Sequence, residues 1–266
     1  MPPSDISVLH PIFKARCAFV MAHPGHELRV HSWLNRLQPQ VFLITDGSGR
    51  GGADHVALSA CTIDQSGASL NAASAQWTDH QAYNHILTCN AVAVSKAIND
   101  VAQELAMHSI EWVICDAIEG FNPVHDLCSV MAVQASSIAE RATGKAIKCV
   151  DFPLEGPPES ATQTGERSEL KLNLSDEEWR AKREAIAQNS ALQFEIDRGF
   201  RLYGERAFRT EVLTPVNIKK SLSWLAQNKP FYEVHGEKRV QEGVYKNVLR
   251  YREHFLPLVE QVSDMI

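Results

Sequence analysis

Two histidines, His23 and His26, stand three apart across a Pro24-Gly25 turn, and a third, His125, lies far along the chain. Imidazole nitrogen is a common ligand for divalent metals, and a catalytic metal site takes about three protein ligands with one position left open. Each histidine site follows a short apolar run. Cys17 to Ala22 precedes the first two, and Glu111 to Ala117 precedes the third. Open α/β sheets gather their ligands at the carboxyl ends of strands. Neighbouring strands lie ~5 Å apart, so side chains leaving two strand ends can meet at one ion. The expected cofactor is therefore one divalent metal held by His23, His26 and His125. Zinc suits imidazole best, while iron, nickel and cobalt also accept it. Zinc sites of three histidines lower the pKa of a bound water to about 7, which is the chemistry of hydrolysis.

The elements that would carry these residues follow from apolar spacing. Cys17 to Ala22 suits a buried parallel strand. Helical spacing from His26 to Leu37 stops at Pro39. Gln40 to Thr45 is a second buried strand, ending in the glycine-rich turn Asp46 to Gly52. That turn lacks both phosphate-binding glycine motifs. Residues 53 to 82 are rich in Ala, Ser, Thr and Asn and are expected as a loop, with His55 and His80 at the surface. One long helix is expected over Tyr83 to Met107, then a strand over Glu111 to Ala117. The loop Glu119 to Asp126 would carry His125, a helix would span Leu127 to Ala142, and Ala146 to Phe152 would be the next strand. The alternation gives the fold class: α/β, Rossmann-like, with a mainly parallel sheet and helices on both faces. The strand ends at His23, Asp46 and Ala117 should open on one edge. Residues 154 to 174 form a polar loop. Ser175-Asp176-Glu177-Glu178 opens a helix as a capping box, running to about Gln193. Arg209 to Leu213 is a last short strand, and a C-terminal helical extension follows. Its aromatics Phe231, Tyr232, Tyr245, Tyr251 and Phe255 are expected in the core. The whole chain, 1–266, reads as one domain.

The stretch Ala22-His23-Pro24-Gly25-His26-Glu27 resembles the Ala-His-Pro-Asp-Asp-Glu motif of the PIG-L/LmbE-like zinc-dependent N-deacetylases. The loop Glu119-Gly120-Phe121-Asn122-Pro123-Val124-His125 is similar to that family's Glu-Gly-x-His-Pro-Asp-His. The resemblance implies a deacetylase-like α/β fold and zinc at positions 23, 26 and 125. It also marks departures. Gly25 stands at the position of the general base, His26 at that of a carboxylate ligand, Asn122 at that of the general acid and Val124 at that of its orienting Asp. Gly25 is expected to leave room for a carboxylate from elsewhere. Candidates by loop position are Glu119, Asp126 and Asp46, although carboxylates at such positions more often cap a helix or hold a loop than catalyse. Glu27, at a helix start, is expected to be structural. Arg50 and Asn122 are candidates for holding the substrate.

The remaining bounds come from composition. The chain has 266 residues, 44% hydrophobic and 22% charged, with a net charge of -6. This suits a globular core and argues against nucleic acid as the partner. No apolar run reaches the ~18 residues of a membrane span. The start of the chain lacks the pattern of a secretory leader. The six cysteines, none in a C-x-x-C pair, read as buried free thiols of a cytoplasmic protein. Two readings follow. One is a metal-dependent hydrolase of an amide bond, acting on an N-acyl sugar or related small molecule. The alternative is a non-catalytic descendant that binds a metal or small ligand.

Overall fold

The computed structural model describes residues 6, 9–49, 54–158 and 170–265. Seven strands form one sheet: β1 (Cys17–Met21), β2 (Gln40–Leu43), β3 (Ser69–Leu70), β4 (Trp112–Asp116), β5 (Lys148–Phe152), β6 (Leu170–Asn173) and β7 (Thr210–Pro215). Their order across the sheet is β3-β2-β1-β4-β5-β7-β6. The first five run parallel, with Phe19 opposite both Val41 and Ile114. β7 returns antiparallel to β5 and to β6. The expected α/β class and the shared edge for His23, Asp46 and Ala117 both hold.

Every residue of β1 and β4 is buried. A strand covered on both faces needs no polar alternation, which is why these segments read as plain apolar runs. The pleat still sorts them. Ala18, Val20 and Ala22 pack into one core, while Cys17, Phe19 and Met21 pack into the other. The first core lies under α3 (Asp79–Leu87), α4 (Ala91–Met107), α5 (Pro123–Thr143), α8 (Ile218–Gln227), α9 (Phe231–Gln241) and α10 (Leu256–Met265). The second lies under α1 (His31–Leu37), α2 (Val56–Gln65) and α6 (Asp176–Gln188). α7 (Gln193–Tyr203) packs on a small cluster around Leu28, Ala185 and Ile186, with Phe200 edge-on to Phe208.

Several elements differ from expectation. α2 and β3 occupy the stretch expected as a loop. Its Ala and Ser side chains are small, so the helix hides Ile63 without a strong apolar stripe. The long helix expected over 83–107 is two. Cys89 takes a left-handed φ of 47° and Asn90 caps α4 through Ala93 N. Residue 125 lies in the first turn of α5, because Asn122 and Pro123 start that helix earlier than the apolar spacing suggests. Within the expected loop 154–174, residues 159–169 lie outside the described residues. Among the C-terminal aromatics Tyr232, Tyr251 and Phe255 are buried, but Phe231 and Tyr245 are exposed. All six cysteines are free, and Cys61 is exposed rather than buried.

Candidate metal centre

The first motif turns sharply at the end of β1. Gly25 has φ 97°, a conformation open to glycine and strained for other residues. Its amide donates to Glu27 Oε2 at 2.8 Å and to Ser59 Oγ at 2.7 Å, and Ser59 donates to Glu27 Oε1 at 2.6 Å. Glu27 is fully buried, and burial raises its pKa. It ties the motif to α2, a structural role as expected. A short 3-10 helix, His26–Val30, then begins on His26.

His125 comes from the neighbouring strand's exit. Asn122 caps α5 by accepting from Val124 N at 2.9 Å, and it also accepts from the Tyr83 hydroxyl at 3.3 Å. The cap sets His125 as the third residue of the helix. The three imidazoles meet. Ring centroids are 5.3 Å apart for His23 and His26, 5.0 Å for His23 and His125, and 4.6 Å for His26 and His125. The planes are close to perpendicular, at 83°, 67° and 88°.

Two carboxylates hold two of the rings. Asp79 Oδ1 lies 3.0 Å from His23 Nδ1, with Thr45 Oγ1 at 2.7 Å from the same nitrogen. Asp116 Oδ2 lies 3.0 Å from His26 Nδ1 and also accepts from Ala22 N at 2.8 Å. A carboxylate beside Nδ1 fixes the proton there and leaves the Nε2 lone pair for a metal. His23 Nε2 is buried with no hydrogen-bond partner. Burial would raise the Asp79 pKa, but the His23 bond and charge, Thr45 and Gly49 N outweigh it, holding Asp79 well below the ordinary carboxylate range. Burial, with His26 and His23 alongside, pushes the His125 pKa well below its ordinary value.

Among the described residues, no group of three or more His, Cys, Asp or Glu side chains is placed, as the side chains stand, to hold a metal ion. The ring spacing nevertheless fits an ion. A zinc–nitrogen bond of about 2.0–2.1 Å puts each ring centroid about 3 Å from the metal, and tetrahedral angles then separate centroids by about 5 Å. The orphaned Nε2 and the carboxylate-backed rings fit the same group.

The other expected site residues have different surroundings. Glu119 accepts from Leu154 N at 2.9 Å and Glu155 N at 3.1 Å, and burial pushes its pKa up to about 8. Asp126 accepts from Glu119 N at 2.9 Å and Gly120 N at 3.1 Å, holding the loop closed, with burial raising it to about 7. Asp46 accepts from Ser48 N at 2.9 Å within its turn. Arg50 lies outside the described residues. The space expected at Gly25 is filled. A Cβ there would lie 2.1 Å from Leu192 Cδ1, so the segment between α6 and α7 covers the position. Asp79 was not among the expected site residues. It lies 56 positions from His23, in the first turn of a helix whose start the Thr78–Gln81 capping box marks in the sequence, but nothing local marks Asp79 as a partner of His23.

No protein-family description and no curated protein matches the sequence. Solved structures do. The A40926 pseudoaglycone deacetylase is 14% identical, with a TM-score of 0.50 over 76% of this chain and 96% of that one. A triple-mutant deacetylase of the teicoplanin biosynthetic pathway is 12% identical, with a TM-score of 0.50 over 75% of this chain and 97% of that one. The chain shares its fold with deacetylases. At such identities the likeness concerns the fold alone.

Proposed function

We propose that the protein is a metal-dependent hydrolase of an amide C–N bond, deacetylase-like, acting on an N-acyl sugar or related small molecule. One observation carries the reading: His23, His26 and His125 converge at the carboxyl ends of β1 and β4, with Asp79 and Asp116 behind two of them. The deacetylase fold of the structural neighbours supports the reaction class, and the motif resemblance supports zinc and the PIG-L/LmbE-like family.

The three histidines would hold one divalent ion, zinc first. A bound ion of this kind supplies Lewis acidity toward a carbonyl oxygen and a water. The chain's own residues do the rest. Asp79 and Thr45 orient His23, and Asp116 orients His26. The protonated Nδ1 atoms fix the tautomers, so no rearrangement is needed when the metal enters. Burial keeps His125 neutral and able to bind. The two carboxylates also offset charge that three neutral ligands leave on the ion. A binding-only reading has one observation in its favour: Leu192 fills the place where the resembled family carries its base.

The test is to load the purified, tag-free protein with zinc, measure the metal-to-protein ratio, and assay a panel of N-acetylated amino sugars for released amine. One equivalent of zinc with turnover, lost together in His125→Ala, is expected. Zinc binding without turnover would leave the binding-only reading. Unchanged metal content in His125→Ala would overturn both.

A further inference from the structure

A hydrolase needs a group that takes a proton from water, and position 25 offers none. The loop leaving β5 carries a carboxylate that the fold holds at the same rim. Residues 153–156 are pinned from two sides. The Glu119 carboxylate accepts from Leu154 N and Glu155 N. Arg29 donates through Nε to the Pro153 carbonyl at 2.9 Å and through Nη2 to the Gly156 carbonyl. Arg29 therefore grips the turn on both sides of Glu155.

Arg29 also has a fixed relation to the metal site. It lies three residues after His26 on the 3-10 helix His26–Val30, and residues three apart on such a helix eclipse one another on one face. The turn is thus clamped to the face that carries His26. The sheet adds a second constraint. β5 lies beside β4, whose last residue, Asp116, holds the His26 ring, and Phe152 pairs with Asp116 in register. The side chain of Glu155 is partly buried.

We propose that Glu155 is the proton acceptor of this site, supplied from the loop after β5 in place of a carboxylate at position 25. The inference rests on reading the site as a metal-dependent amide hydrolase. A water proton passes to the Glu155 carboxylate as the water oxygen bonds to the amide carbonyl carbon. The C–N bond then breaks and the proton returns to the departing nitrogen, giving an amine and a carboxylic acid. Neither oxidant nor reductant is needed. The titratable and charged groups facing Glu155 are Arg198 of α7, Arg29, His26 and the Glu119 carboxylate. Burial raises the Glu155 pKa, with Arg198 and Arg29 opposing that rise, so the group titrates nearer its working range than an exposed glutamate. The same segment that seats Leu192 on Gly25 brings Arg198 to Glu155, so closing one position and equipping the other are one structural event.

The test compares wild type, Glu155→Gln and Glu155→Asp, each loaded with cobalt and assayed on an N-acetylated amino sugar that wild type turns over. Expected for Glu155→Gln is full cobalt content, at least a hundredfold loss of kcat, an unchanged KM and no acid limb in the kcat profile, with partial recovery in Glu155→Asp. The second readout needs no substrate. The visible spectrum of cobalt reports charge next to the metal, so an acid-side transition in wild type should vanish in Glu155→Gln. Equal kcat and an equal spectral transition in wild type and Glu155→Gln would overturn the assignment while leaving the hydrolase reading intact. Failure of wild type to take up cobalt would overturn the hydrolase reading and this assignment with it.

Discussion

At the scale of single residues, the site depends on side chains that touch no ion. A free imidazole can present either nitrogen, and holding one tautomer costs free energy at each ligand. Asp79 meets that cost for His23, and Asp116 does so for His26. Removing such a partner weakens metal affinity by about 10–100-fold in comparable sites. Asp79→Asn should therefore lose about that factor for zinc in competition with a chromophoric chelator, with the far-ultraviolet circular dichroism unchanged. Wild-type affinity in the variant would show that His23 is oriented by Thr45 alone. The sequence announces the three histidines because each follows a readable strand. It does not announce Asp79, since a lone Asp in a polar stretch becomes a partner of His23 only once α2, β3 and α3 have folded. Gly25 carries the opposite lesson. A missing side chain suggests room, yet Leu192 fills it from a distant segment, and no local pattern encodes that approach.

At the scale of elements, the helix behind the metal motif is fastened by a buried ion pair. Glu211 on β7 accepts from Ser32 N and Trp33 N, the free amides at the start of α1. Its other oxygen meets Lys182 Nζ of α6 at 2.8 Å, and that ammonium also donates to the Arg29 carbonyl at 3.0 Å. Both side chains are essentially inaccessible, at 2% and 0%. Breaking a buried pair from one side leaves an uncompensated charge and costs about 3–5 kcal/mol. Glu211→Ala should lose about that much stability in urea unfolding, since it strands Lys182 and uncaps α1. A Lys182→Met, Glu211→Leu double variant should recover part of it, because the stranded charge is gone. No recovery would assign the loss to the helix start alone. Local chemistry made other elements legible. Ser175 and Glu178 form the reciprocal capping box expected of their spacing. The break between α3 and α4 escaped because apolar spacing continues across it, and only the backbone of Cys89 and the cap at Asn90 interrupt the helix.

At the scale of the molecule, burying carboxylates that bind no metal makes stability depend on pH in a stated direction. Burial pushes Glu119 up from 4.5 to about 8 and Asp151 up from 3.8 to about 7. Between each ordinary value and the raised one, the folded state holds a proton that the unfolded chain has released. Stability falls with pH wherever the native state binds more protons. The contribution of these two groups is thus complete below about pH 4 and is lost as pH rises through about 7 to 8. Asp79 acts with the opposite sign. Its lowered pKa gives stability that is present above about pH 4 and lost in stronger acid. Metal-free protein should therefore lose stability on the alkaline side of neutrality. Buried His125 and His31, whose pKa values are lowered, act the other way below the ordinary histidine range, so the thermal midpoint should fall from about pH 7 to about pH 8.5 in a buffer series of fixed ionic strength. Glu119→Gln keeps the shape of the side chain and cannot ionise, so it should flatten the alkaline limb at the cost of one acceptor for the amides of Leu154 and Glu155. A wild-type midpoint that holds level or rises across that range would mean that Glu119 and Asp151 ionise as freely in the fold as in the unfolded chain. The burial of the β4–β5 edge would then not act on them as the structure describes.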